Sequence, residues 1–211
     1  MSEIGGDFVE ALRAYRDAYA RNPNDAEAVR GIAQCAMALG RPEVAFEYYV
    51  KLLILDNADP WGYLGRAQVM FQYAQTDRAM SDLARALELD RPASDLRIDC
   101  AALLNDYGYP EMARDALRPL YDLRRDDDDF VCEWLFAGLV LGGEDDAEIA
   151  SMLADVTSRW AGDPFVALCH CIRDAREGDD TAVARIEALR DEAPELEGKI
   201  ECALMVVQRE T

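Results

Sequence analysis

The sequence predicts an all-α fold, a right-handed superhelical solenoid of antiparallel helix pairs, and three observations predict it. The first is a 34-residue period: Ala11, Ala45, Ala79, Ala113 and Ala147 are each 34 residues apart, and so are Gly6, Gly40, Ala74, Gly108 and Gly142, five residues before them. The second is helical spacing around that column. Tyr15, Tyr49, Leu83, Leu117 and Ser151 follow the alanines by four, and Ala18, Leu52, Ala86, Leu120 and Ala154 by seven, so one apolar stripe continues, broken only at Ser151. The third is turn chemistry. The Gly/Ala column precedes each alanine by the length of a tight turn, as in GRPEVA, AQTDRA, GYPEMA and GEDDA, suited to leaving one helix and starting the next.

The elements follow in order. Gly6 to Asn22 reads as a second helix without its partner, closed by Pro23, which makes residues 6–25 an N-terminal half repeat. Four full repeats then run from Ala26 to Asp59, Pro60 to Ala93, Ser94 to Asp127 and Asp128 to Gly162. In their first helices the small residues Ala33, Ala67 and Ala101 keep the period, followed by the larger Leu135. These columns resemble the tetratricopeptide repeat, whose small residues stand at the eighth, twentieth and twenty-seventh positions with an aromatic at the twenty-fourth. Arg66, Arg97 and Leu135 depart from that pattern. Residues 163–194 form a degenerate pair in which Ala182 falls one residue late, before Ile186, Leu189 and Pro194 resume the pattern. Residues 195–211 close the stack as a capping helix with Ile200, Leu204 and Val207 on one stripe. The whole is expected to be one solenoid domain, and Met205 and Val206, outside that stripe, suggest a second contact of homodimeric kind or scattered surface residues.

With 51% apolar residues the chain is rich enough to bury a substantial core. Its start, MSEIGGDFVEALRAY, lacks a basic segment followed by an apolar run, and no stretch reaches the roughly 20 apolar residues of a membrane span. A soluble, cytoplasmic protein is expected. The formal charge of -20 repels polyanions, which argues against nucleic acid and anionic membranes as partners. The acidity either attracts a basic segment or serves solubility. The run Asp126 to Asp129 lacks the alternating ligands and glycine of a calcium loop and reads as a solvated helix start.

Function is expected on the face of the first helices turned away from their own pair. In a repeat solenoid the second, fifth, ninth and twelfth positions line the inner surface. Those positions carry Glu27, Arg30, Gln34 and Met37, then Trp61, Leu64, Gln68 and Phe71. The third repeat supplies Asp95, Ile98, Ala102 and Asn105, and the fourth Asp129, Cys132, Phe136 and Leu139. Such an apolar surface marks an interaction site, so a peptide or protein client is expected there. Trp61, Leu64, Phe71, Ile98, Phe136 and Leu139 would form pockets, and Gln34, Gln68 and Asn105 would bond its backbone. Alternatively the protein covers this face itself, by tight curvature, by a terminal helix folding inward or by self-association.

Resemblance narrows the client class. The basic clamp with which some tetratricopeptide proteins hold acidic chaperone tails is missing, because only Lys51 and Lys199 are lysines and only Arg30 is a cation among the groove positions. The segment LLILDNADPWGYLGRAQVM, Leu52 to Met70, with the turns AQTDRA and GYPEMA, resembles the class II chaperones of type III secretion. That resemblance implies an inner surface holding an extended apolar segment of a client, and it ends near Asp127. The other reading is a structural or oligomerising subunit whose apolar face is a permanent interface.

No enzyme is expected. The chain has no phosphate loop, dinucleotide fingerprint, nucleophile elbow or H-E-x-x-H helix. Its six cysteines are scattered, and Cys169 and Cys171 flank the lone His170 on a helix, where residues two apart point about 200° apart and cannot share a metal. Neither metal nor cofactor is expected.

Overall fold

Repeated local chemistry at the helix ends builds this molecule. The computed structural model describes residues 3–91, 94–142 and 146–210. The repeat boundary at Ala93, residues 143–145 of the GEDDA turn and the last residue, Thr211, lie outside them. All regular structure among the described residues is helical.

The first helices of the pairs start on aspartates. Asp25 Oδ1 accepts from the amides of Glu27 and Ala28 at 3.0 and 3.1 Å, Asp59 from Gly62 at 3.1 Å, Asp127 from Asp129 and Phe130 and Asp163 from Phe165 at 2.8 Å. Each satisfies amides that a helix start leaves without partners. The helices end just as uniformly. Gly40, Ala74, Gly108, Gly142 and Gly178 all adopt positive φ, and after four of them the next amide reaches back to a carbonyl five residues earlier: Arg41 to Ala36, Gln75 to Met70, Tyr109 to Leu104 and Asp179 to Asp174, at 2.8 to 2.9 Å. This left-handed residue folds the chain back after a helix.

The chain packs as two compact units, Met1–Arg91 and Pro92–Thr211. The first holds α1 (Glu3–Arg21), α2 (Ala26–Ala38), α3 (Pro42–Leu55), α4 (Pro60–Gln72) and α5 (Thr76–Leu89), each packed on the next, with α2 also touching α4. Its core joins Val29, Ala33, Ala36, Ala45, Tyr49, Leu52 and Val69. Two aromatic locks repeat inside it. A Cβ on Gly31 would lie 2.5 Å from the Tyr15 ring, and one on Gly65 would lie 2.1 Å from that of Tyr49, so each tyrosine packs where the next repeat lacks a side chain. The departure at Arg66 is also explained: its guanidinium forks onto the buried Asp82 at 2.7 and 2.8 Å, tying α4 to α5.

The second unit holds α6 (Leu96–Asp106), α7 (Pro110–Leu117), α8 (Tyr121–Arg124), α9 (Asp128–Val140), α10 (Ala147–Arg159), α11 (Pro164–Arg176), α12 (Ala182–Glu192) and α13 (Glu197–Glu210). Pro119 interrupts the second helix of its first pair, leaving a 3-10 turn over Arg118–Leu120 between α7 and α8. Proline has no amide hydrogen to donate and crowds the preceding turn. Tyr121 beyond the break packs on Phe130 and Trp134.

One column is corrected here. Ala147, Ser151 and Ala154 face solvent, whereas Ile149, Leu153 and Val156 are buried. The latter three keep the four-and-three spacing of Ala45, Tyr49 and Leu52, so the repeat phase advances by two residues between Gly142 and α10. Burial of Ile149, which packs against Gly138, outweighs the small-residue match at Ala147. The same shift places the capping Asp163 36 residues after Asp127 and Gly178 36 after Gly142. A turn one residue shorter after Gly178 then brings Ala182 to its place.

Candidate protein-binding surfaces

In the first unit the inner positions of α2 and α4 form an open cleft of about 250 Å³ lined by Tyr15, Glu27, Arg30, Gly31, Gln34 and Trp61. Gly31 sets its depth by admitting the Tyr15 ring. Arg30 is fixed from beneath: its Nη2 donates to Oδ2 of Asp59, the buried carboxylate whose other oxygen caps α4. One aspartate therefore starts the helix that carries Trp61 and holds the cation beside it. Trp61 is half-buried and Gln34 exposed. The cleft thus offers two aromatic surfaces, an amide able to donate and accept, and one cation already neutralised.

The remaining expected groove residues of this unit divide. Gln68 is exposed, Met37 is packed against the core, and Leu64 and Phe71 are buried, at 8% and 4% exposure. Tyr15, Gly31 and Asp59 were outside the expected set. The signal for the first two is present in the sequence, since the Tyr15 and Gly31 pair recurs as Tyr49 and Gly65 one period on.

In the second unit the expected positions divide: Asp95 and Asp129 are exposed, Ala102 and Cys132 half-buried, and the pocket positions closed. Ile98, Asn105, Phe136 and Leu139 are all buried. The C-terminal helix α13 packs on α12 before it and also on α6, α9 and α11. Lys199, at 8% exposure, places its Nζ 3.0 Å from Oδ1 of Asp106 and 3.1 Å from Oε1 of Glu133, over the Phe136 ring at 5.8 Å. Asn105 donates to the Glu133 side chain at 2.8 Å and to its backbone carbonyl at 3.1 Å. Burial pushes the Glu133 carboxyl up, opposed by Lys199. Burial alone would lower the Lys199 ammonium, but Glu133 and Asp106 hold it above its ordinary value. The inward-folded terminal helix, one of the alternatives read from the sequence, is the arrangement found in this unit.

The cysteine and histidine pattern is structural in its surroundings. Burial pushes the Cys132 thiol up to about 12 and the Cys202 thiol up to about 11, and holds the Cys169 thiol well above its ordinary value. Burial lowers the His170 pKa, as does Arg173, and its Nε2 lies 2.9 Å from the Thr157 hydroxyl. Among the described residues no group of three or more His, Cys, Asp or Glu side chains is placed to hold a metal, and no helix is long and apolar enough to cross a membrane. The Asp126 to Asp129 run starts α9: Asp127 caps it, and Asp128 pairs with Arg159 at 2.6 Å.

Helix pairs joined by left-handed turns, with small core residues repeating every 34 residues through Ala113, define a helical-repeat scaffold of the kind that mediates protein interactions. Residues 5–60 match the tetratricopeptide repeat family. Solved structures of the same fold include YrrB, a tetratricopeptide protein with an unusual peptide-binding site, 21% identical with a TM-score of 0.60 over 90% of this chain and 98% of that one. MamA is 21% identical with a TM-score of 0.57 over 76% and 98%. A tetratricopeptide repeat protein from Parabacteroides merdae is 17% identical with a TM-score of 0.61 over 96% and 78%. No curated protein matches the chain. Residues 5–60 thus carry a tetratricopeptide-repeat signature, and the fold is the one found in tetratricopeptide-repeat proteins. Such proteins are as a class interaction modules that bind proteins or peptides and are generally without catalytic activity.

Proposed function

We propose that this chain is a non-catalytic protein-binding module of chaperone or adaptor type that holds a peptide or protein segment in the cleft of its first unit. The observation that carries this reading is Trp61, a half-buried aromatic that lines an open cleft together with Gln34, Arg30 and Tyr15. Aromatic anchors dominate binding energy where neighbouring groups fix the geometry and exclude water. The arrangement suits an extended segment with one apolar side chain against the indole and its backbone against Gln34. A cytoplasmic setting fits the acidic composition. The narrower role of a type III secretion chaperone is supported by the resemblance of Leu52 to Met70 and by fold analogy.

Affinity capture with wild-type protein beside Trp61→Ala tests the reading. Proteins retained by the wild type are expected to be lost from the variant while far-UV circular dichroism stays unchanged. Equal retention by both, or loss of helicity in the variant, rejects the cleft.

A second reading, a structural or homodimeric subunit, is favoured by a different surface. In the second unit Met205 is exposed with its terminal methyl over Gly108, and the neighbouring Tyr107 and Met112 are exposed as well. The mass of the purified protein in solution separates the two readings: a stable oligomer that captures nothing supports the second.

A further inference from the structure

Helix α13 contradicts the behaviour of an end cap. A cap on a helical stack touches the last pair, α11 and α12. This helix also packs on α6 and α9, and its Lys199 pairs with Asp106, 93 residues earlier in the chain. Its buried arc is correspondingly wide. Lys199, Ile200, Cys202, Ala203, Leu204 and Val207 are all buried, which at 100° per residue covers about 200° of the helix circumference. That is the footprint of a helix lying in a groove, as an amphipathic ligand does.

The seam between α13 and its floor is apolar through Ile200, Cys202, Ala203, Leu204 and Val207 but encloses one buried polar cluster. Lys199 sits between Glu133 and Asp106, Asn105 bonds Glu133, and Oδ1 of Asn105 is buried with no hydrogen-bond partner. A buried ion pair contributes little net stability compared with apolar packing, but it penalises any occupant that lacks the matching charge. Gly198 completes the fit. A Cβ there would come within 2.9 Å of the Asp106 backbone, so the close approach of α13 to α6 depends on its absence.

We infer that the inner face of the second unit is a helix-binding groove and that α13 is its resident, displaceable ligand. While α13 is seated the groove is shut to clients. When α13 leaves, the floor selects an amphipathic helix with one basic residue, to sit between Glu133 and Asp106, followed by apolar residues one, four and five positions on, as Ile200, Ala203 and Leu204 follow Lys199. Tethering keeps the effective concentration of α13 high, so an outside helix competes poorly until the tethered one is weakened.

The test uses the full-length chain and a labelled synthetic peptide of residues 195–211, and it does not involve the Trp61 cleft, so its failure leaves the proposed function untouched. Wild-type protein is expected to take up the peptide weakly. Lys199→Glu in the full-length chain sets a carboxylate against Glu133 and Asp106, and is expected to raise peptide affinity at least tenfold, with no uptake of a peptide carrying the same substitution. Absence of that gain in a folded variant overturns the inference. Hydrogen exchange on the unaltered chain decides the matter should the variant not fold. Amides of α13 exchanging at least tenfold faster than those of α9 and α11 support a displaceable helix, and equal protection shows an integral one.

Discussion

Among single residues, the turn column carries the sharpest physical demand. Ala74 holds φ 54° where its counterparts at 40, 108 and 142 are glycines, and a Cβ in the left-handed region costs on the order of 1 kcal/mol. Ala74→Gly removes that cost and loses part of the gain through a freer unfolded chain. The expected outcome is a stability increase of up to about 0.5 kcal/mol, read as a higher urea midpoint with unchanged slope. The column itself was legible because turn geometry restricts residue type so strongly. The capping aspartates were less legible, since Asp is common in this chain and only Asp25, Asp59 and Asp127 keep the period. The pairing of Asp59 with Arg30 had no sequence signal, because it joins residues 29 apart through two separate helix ends.

For helices, residue spacing marks the buried face where spacing and bulk agree and misplaces it where they part. In α10 the alanine at 147 satisfied the 34-residue count, yet Ile149 lay beside it with more apolar surface to bury, and burial decided the phase. Helix α13 shows a different limit. Its sequence reveals that Ile200, Leu204 and Val207 form a stripe, and Cys202 and Ala203 widen it, but nothing local says that α6 and α9 fill the other side. A test at this scale is Gly198→Ala. Alanine raises the intrinsic helix preference of α13 by about 1 kcal/mol relative to glycine while its Cβ strikes Asp106. The expected outcome is faster hydrogen exchange throughout α13 despite the stronger helix former; unchanged or slower exchange there would show that the contact yields without cost.

On the scale of the whole chain, charge distinguishes the two units. Residues 1–91 carry 14 acidic and 10 basic side chains, a net of -4, whereas residues 92–211 carry 28 and 12, a net of -16. Self-repulsion therefore acts mainly within the second unit. Raising sodium chloride from low ionic strength to about 0.5 M shortens the screening length to a few ångströms. Under those conditions the buried amides of α9 and α11 should gain more exchange protection than those of α2 and α4. Equal gains in both units would show that the excess acids are already neutralised by local pairs such as Arg159 with Asp128 and Arg185 with Asp174.

The scarcity of lysine has a practical consequence for following these motions. The chain contains two, and both are engaged: Lys51 meets the Tyr19 hydroxyl, and Lys199 is enclosed between two carboxylates beneath its own helix. An amine-selective reagent acting on the native protein thus has few targets, and modification at Lys199 records the moments when that helix stands clear of its seat. The protein carries its own covalent clock for that event, readable by mass from a single tryptic-resistant site.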